Sequence, residues 1–394
     1  MTEYLIKNDP AACYGCRGCE QICPQGAIRM QPNEEGFLYP VLDEALCVRC
    51  GRCAQACPHT ERPRTNLPQT AYAFAYDDAR AVRSTSGGAF LALADWILGQ
   101  GGCVCGCVLD EQMRAVHMVS DQPQMLARMQ GSKYVQSDMG AVYSQIKERL
   151  AEQRPVLFTG TPCQVAGLYA FLGGDHACLY TVDLVCHGTP SPALLDAYLK
   201  EQAARYGSIK ELQFRDQQRQ GWGNAGTLVV ERGGKERARR ISPGNDTYYH
   251  LFETTNSVLR MSCYSCPWAA RERVGDITLG DFWGIREELP QLAHEGGVSL
   301  VLPNTEKGAR LFDLLEGAAV RTALPYEAAV KYNGHLRRPQ AMPPARADIY
   351  RRIREQGYAA VARHDCKFHP IRARISRLIP HRLRQLVRRV LKGT

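Results

Sequence analysis

Two apolar rhythms alternate through the first half of this chain. Between Ala71 and Thr189, short runs that read as strands (residues 71–76, AYAFAY; Val104–Leu109; Val156–Thr159; Leu179–Val185) take turns with longer runs that read as helices (Ala89–Leu98, Ala141–Gln153, Val165–Leu172). That alternation predicts an α/β layer built on a mixed sheet. From Ser191 the candidate strands are shorter, at Leu212–Arg215, Thr227–Glu231 and Asp276–Leu279, so this part reads as β-rich and the chain as a whole as α+β. Near the end, Leu383, Leu386, Val387, Val390 and Leu391 share one helical face with arginines opposite, and Pro380 separates them from a shorter stretch carrying Ile371, Ile375, Leu378 and Ile379.

The first sixty residues follow a repeat instead. Cys13-Tyr-Gly-Cys16-Arg-Gly-Cys19-Glu-Gln-Ile-Cys23-Pro24 matches Cys47-Val-Arg-Cys50-Gly-Arg-Cys53-Ala-Gln-Ala-Cys57-Pro58 in spacing. Between the copies, Ile28, Met30, Phe37, Tyr39 and Val41 around Asn33-Glu-Glu-Gly36 predict a hairpin. The polar, proline-bearing residues 61–70 read as a linker, with a boundary near Pro68.

Three cysteines at two-residue intervals let one tight loop wrap three corners of a cubane, while the fourth, followed by Pro, is carried to the neighbouring cluster. On that rule Cys13, Cys16, Cys19 and Cys57 hold one [4Fe–4S] cluster and Cys47, Cys50, Cys53 and Cys23 hold a second, in a bacterial ferredoxin-like module. Zinc would need only paired Cys-x-x-Cys and leaves the other cysteines of each run without a purpose. Adjacent clusters transfer single electrons and do nothing else, so the remaining residues must supply a substrate or a partner.

Composition narrows the setting. The 17 cysteines are grouped closely rather than spread as in a disulfide framework, no basic and apolar leader opens the chain, and no apolar run is long enough to span a membrane. Reduced cysteines in the cytoplasm are the expectation. Of the net charge of +9, eight positive charges lie in residues 371–394, which hold no acid, so the body is near neutral. A nucleic-acid role is therefore disfavoured, there being no stacking-aromatic motif either. The basic amphipathic tail suits an acidic partner or the anionic inner face of a membrane, with packing on the protein's own body as the alternative.

Residues 84–90 (STSGGAF), 131–137 (GSKYVQS), 159–165 (TGTPCQV), 183–192 (DLVCHGTPSP), 263–268 (CYSCPW) and 276–284 (DITLGDFWG) resemble, in order, the motif series of the coenzyme F420 hydrogenase/dehydrogenase beta-subunit family. With the ferredoxin module the resemblance covers about three quarters of the chain. It implies FAD beside a [4Fe–4S] cluster, on a scaffold whose substrate differs between members. That agrees with the chemistry of single-electron carriers, which need a flavin to meet hydride chemistry.

Ser84, Thr85, Ser86, Gly87 and Gly88 form a turn that fits a phosphate at a helix start or an ordinary cap. Ser132, Lys133 and Tyr134 add a cation and an aromatic face, and Thr159, Gly160 and Thr161 follow a strand, where ligands gather in open sheets. Cys163, Cys186, Cys263 and Cys266 stand at the family's motif positions; each alone fits a packed apolar residue, and the four together fit a third cluster. Cys103, Cys105 and Cys107 alternate along one strand and read as packing, with Cys178 and Cys366 unassigned. His187 and Asp281 are the candidate proton carriers, a core or capping role being the alternative.

The expected organisation is a ferredoxin-type module at 1–68, an α/β flavin domain at 69–190, a β-rich region at 191–345 and a basic helical tail at 346–394. The expected function is an iron–sulfur flavoenzyme that passes electrons between its clusters, FAD, a small-molecule substrate and a redox partner protein such as reduced ferredoxin. The alternative is an electron-transfer subunit or adapter without a substrate of its own.

Overall fold

The computed structural model describes residues 9–368; the two tail helices expected beyond Ile371 lie outside the described residues. Two compact units share the described residues, one from residues 9–192 together with Leu259–Ala341, the other from Ala193–Val258 together with residues 342–368.

The first unit opens with the repeat. Strands β1 (Ile28–Pro32) and β2 (Leu38–Leu42) form the hairpin between its two cysteine runs, antiparallel, with Asn33 capping the turn through bonds from the Glu35 and Phe37 amides. Then come β3 (Thr70–Tyr76), β4 (Cys103–Leu109), β5 (Ala115–Ser120), β6 (Val156–Gly160) and β7 (Leu179–Leu184). Strands β8 (Ser208–Gln213), β9 (Gly226–Arg232) and β10 (Lys235–Ile241) belong to the second unit. The first unit is completed by β11 (Ile277–Asp281), β12 (Ser299–Pro303) and β13 (Ala318–Pro325).

Eight of these strands make one mixed sheet in the order β13-β3-β12-β11-β7-β6-β4-β5. Its centre, β4-β6-β7-β11, is parallel and its flanks are antiparallel. Asp276–Leu279, read from the sequence as part of a β-rich region, thus enters the α/β sheet beside β7. Lateral strand order depends on which edges meet and leaves no trace in local periodicity.

Side-chain alternation along the strands separates two cores. Val104, Val108, Leu157 and Val182 face the helix Ala89–Gly99 and Phe312. Cys103, Cys105, Val156 and Phe158 face the helices Val142–Ala151 and Pro162–Leu172, together with Tyr14 and Trp268. Cys103 and Cys105 are thus packing residues, as their period-two spacing predicted, while Cys107, expected with them, is only half-buried and joins neither core. Each fully buried aliphatic or aromatic side chain contributes about 1.5–3 kcal/mol, and the second core draws part of its content from the cysteine-rich N-terminal segment.

In the second unit a three-stranded antiparallel sheet, β10-β9-β8, stands with the helix Pro192–Tyr206 and the helices Ile349–Gln356 and Tyr358–Asp365. Asp246 caps a short helix through the amides of Tyr248 and Tyr249 and accepts from the Tyr198 hydroxyl at 2.8 Å. Strand β10 (KERARRI) escapes sequence reading because its side chains are mostly exposed and carry no apolar rhythm. Among the described residues no helix is long and apolar enough to cross a membrane.

Candidate functional site

The two cysteine loops share a backbone as well as a spacing. Left-handed residues recur at equivalent places, Gly15 and Arg49 after the first intervals and Arg17 and Gly51 after the second, and a one-turn helix follows each, Gly18–Gln21 and Arg52–Gln55. Two of the four are arginines, for which this conformation is unfavourable. Arg17 is held by Glu20 and by Asp138, whose carboxylate accepts from Nη2 at 2.9 Å.

Burial pushes the Cys13, Cys16 and Cys19 thiols up, and Cys57, from the other run, raises all three further. The Ala27 amide reaches Cys23 Sγ at 3.3 Å, and Cys50 is exposed.

A second convergence joins three distant segments. Thr161 caps the helix Pro162–Leu172 in a reciprocal box with Gln164, which puts Cys163 in the first turn. Cys186 follows β7, and Cys263 and Cys266 come from the loop before β11. Burial first, and then the charge of neighbouring thiols, raises three of the four: Cys163 to about 12 with Cys266 and Cys263 acting on it, Cys266 to about 11 with Cys263, and Cys186 with the other three. Burial also raises Cys263.

Three of the four sulfurs meet donors, the Gly188 amide on Cys186, the Thr189 amide and hydroxyl on Cys263, the Trp268 and Ala269 amides on Cys266, and Cys163 Sγ lies 3.1 Å from the Thr161 hydroxyl, which donates to Gln164 Oε1. Four neighbouring thiols, three of them raised by one another's charge and three with hydrogen-bond donors, fit a bound group that supplies positive charge, which the irons of a cubane do. Among the described residues no three His, Cys, Asp or Glu side chains converge as a single ion demands; a cubane needs no such point, because each cysteine holds a different iron.

The two quartets are neighbours. A Cβ on Gly167, one turn beyond Cys163, would stand 2.8 Å from Cys16 Cβ and 3.0 Å from its Sγ. Tyr14 lies edge-on to Trp268 at 4.7 Å between centroids, and its hydroxyl is raised by burial and by Cys163, Cys266 and Cys57 together.

Two buried arginines, invisible as special in the sequence, shape this region. Arg273 pairs with Asp183 at 2.7 Å and donates to the carbonyls of Trp268 and Leu184, fixing the backbone on both sides of the second convergence. Arg260 donates to the carbonyls of Cys13 and Leu38 and to the Gln136 side chain.

The flavin candidates fall into linked groups. Thr85 Oγ1 accepts from the Ser132 amide at 2.7 Å, and Ser84 accepts from Gln130, so the first two motifs meet. Ser86 turns to the Val298 carbonyl, Gly87 leaves room for the β3 backbone, and Gly88 starts the helix Ala89–Gly99 with φ +83°. Lys133 donates to the carbonyls of Arg128, Met129 and Gln130, so it offers charge rather than a free donor; burial lowers it to about 8. Thr159 bonds the Cys105 carbonyl, and its own carbonyl meets His117 Nε2 at 3.1 Å.

His117 was missed by sequence reading. It is buried, burial lowers it to about 4, Lys133 acts on it, and its Nδ1 has no partner among the described residues. His187 Nδ1 contacts His335 Nε2 at 3.2 Å, and Asn333, two residues earlier, donates to the Asp281 carbonyl at 3.2 Å. One turn thus touches both candidate proton carriers.

Residues 153–328 match the family model that describes the C-terminal part of the coenzyme F420 hydrogenase/dehydrogenase beta subunit. Residues 12–60 match the 4Fe-4S dicluster domain. No curated protein matches the chain. Among solved structures, the xenon derivative of the F420-reducing [NiFe] hydrogenase complex from Methanosarcina barkeri contains a chain similar over 77% of this one and 91% of its own length, at 15% identity and a TM-score of 0.43. The chain therefore carries a stretch that matches a 4Fe-4S dicluster domain, followed by a stretch that matches the C-terminal part of the coenzyme F420 hydrogenase/dehydrogenase beta-subunit model, similarities that support an iron–sulfur protein with a redox role.

Proposed function

We propose that this chain is an iron–sulfur flavoprotein oxidoreductase, with FAD held by the stretches 84–88, 132–134 and 159–161 and a third [4Fe–4S] cluster held by Cys163, Cys186, Cys263 and Cys266. The observation that carries this reading is the convergence of those four cysteines, three of them with hydrogen-bond donors, beside the first ferredoxin quartet. When bound, the flavin supplies the exchange between hydride and single electrons.

The residues serve that chemistry in distinct ways. Thr85 and Ser132 brace the turn that would meet a phosphate. His117, next to Thr159 and on a ring that burial keeps neutral at physiological pH, keeps a buried, unpartnered Nδ1 beside one of these stretches, a hydrogen-bonding atom of the kind a polar heterocycle uses. The 3.2 Å contact between His187 Nδ1 and His335 Nε2 gives a proton a path between the two rings, and burial and His187, which lower His335 to about 4, keep His335 in its neutral form between transfers.

At the outer end, Cys50 is exposed and is flanked by Leu46 and Val48, which are 49% and 61% exposed. An exposed ligand within an apolar rim suits contact with a redox partner protein such as ferredoxin. The substrate is proposed to be a diffusible small molecule of the F420 type. The basic segment after residue 368 is proposed to hold the protein at the anionic inner face of the membrane, an attachment that salt would weaken.

Anaerobically purified protein should hold about twelve iron atoms per chain, three cubanes of four, with one FAD, and should turn over F420 or artificial dyes unaided. A chain with roughly eight irons and no flavin, passing electrons only to a second protein, would establish the adapter role instead.

A further inference from the structure

Arg260 lies between the two cysteine quartets and is 1% exposed. Its Nε donates to the Cys13 carbonyl at 2.9 Å, its Nη1 to Gln136 Oε1 at 3.0 Å and its Nη2 to the Leu38 carbonyl at 3.0 Å. On the other side its amide donates to the Thr189 carbonyl, and its carbonyl accepts from the Cys263 amide at 2.9 Å. The guanidinium stands over the rings of Tyr39 at 4.1 Å and Phe37 at 5.4 Å. None of these acceptors is a carboxylate, so dipoles and aromatic faces disperse the positive charge without cancelling it.

We infer that Arg260 is a shared electrostatic tuning residue, one buried cation that raises the reduction potentials of the first ferredoxin cluster and of the third cluster together. This rests on the third-cluster reading given above.

A cubane with four thiolates carries net negative charge, and reduction adds one more. Net charge and hydrogen bonding around the sulfurs are the main levers on its potential. In a low-dielectric interior a nearby unneutralised cation favours the more negative state. Consistent with this placement, Arg260 opposes the rise of the Cys13, Cys163 and Cys263 thiols, the first in one quartet and the other two in its neighbour.

When one electron leaves one of these clusters as it arrives at the other, the donor is oxidised by one and the acceptor reduced by one, and no bond or proton moves. The negative charge around Arg260 is then unchanged. The guanidinium therefore lifts both potentials with little effect on the step between them, which suits a relay that runs in either direction.

The test is spectroelectrochemistry with electron paramagnetic resonance on the full chain, comparing wild type, Arg260→Lys, Arg260→Gln and Gln136→Glu. Gln136→Glu leaves Arg260 in place and sets a carboxylate against its Nη1. Both Arg260→Gln and Gln136→Glu should lower the first and third cluster potentials together, leave the cluster of Cys23, Cys47, Cys50 and Cys53 unmoved, and retain full iron; Arg260→Lys should restore most of the shift. Should Arg260→Gln fail to load its clusters, Gln136→Glu decides alone. Wild-type potentials in a loaded Gln136→Glu protein, or in a loaded Arg260→Gln protein, overturn the inference and leave Arg260 a structural clamp. The iron count of the wild type separately decides whether a third cluster exists.

Discussion

Replacing Gly167 with alanine should weaken this protein, although the same change in the middle of most helices strengthens it. Gly167 sits at the centre of the helix Pro162–Leu172, where alanine is favoured over glycine by about 1 kcal/mol. Here the added methyl would lie 2.7 Å from the Tyr143 hydroxyl, 2.8 Å from Cys16 Cβ and 3.0 Å from Cys16 Sγ, all below an ordinary contact. Neither neighbour yields easily. Tyr143 is fully buried and donates to the Gln164 carbonyl at 2.7 Å, and Cys16 is fixed by its loop. Overpacking costs about 1–3 kcal/mol, and a displaced Tyr143 bond about 0.5–1.5 kcal/mol more. The balance is a loss of about 0.5–3.5 kcal/mol, taken where the methyl presses on Cys16, a proposed cluster ligand. Urea denaturation under anaerobic conditions and iron analysis measure both effects: a lower midpoint, and the selective loss of the cubane proposed for Cys13, Cys16, Cys19 and Cys57. A Gly167→Ala protein that is more stable and fully loaded would refute the packing of this helix against the first cysteine loop.

Arg273→Met strands Asp183 without its buried partner and should cost about 3–5 kcal/mol in denaturant titration, with Arg273→Met/Asp183→Leu recovering much of it; a loss under about 1 kcal/mol would argue against a dry pair. Burial raises Asp246 to about 6, above its unfolded value, so its contribution is present at low pH and is lost as pH rises through 6. Asp246→Asn should remove that dependence, about 3 kcal/mol between pH 4 and 7, and an unchanged pH profile of urea midpoints would dispose of the assignment. Cys50→Ala and Cys263→Ser should each cost about four irons, the second with FAD retained and flavin reduction uncoupled from the ferredoxin module; full iron in Cys263→Ser would make the third quartet structural.

The part of this protein that a local backbone alone can build was legible in its sequence. Two repeated Cys-x-x-Cys-x-x-Cys runs specify their loops over a dozen residues, and their spacing points to Cys57 as the fourth partner of the first run, the thiol whose charge acts on Cys13, Cys16 and Cys19 in the fold. Apolar periodicity likewise predicted β3, β4, β6 and β7 and the helices between them, since burial on one face leaves a local rhythm. The four cysteines of the third quartet were named from motif positions, but that Cys163, Cys186, Cys263 and Cys266 meet is a property of the sheet: β11 inserts beside β7, more than ninety residues earlier in the chain.

What only the tertiary structure decided is the work of residues whose type is ordinary and whose place is not. Lys133 looked like a cation for a flavin and spends its donors on helix carbonyls. His117 and His335 stand in unremarkable strings, because a histidine's role depends on burial and on what its second nitrogen meets. Gly167, Arg260 and Arg273 carry no local signature at all. A close contact, an unneutralised charge and a buried ion pair arise between segments far apart in sequence, and no window along the chain contains both sides of them.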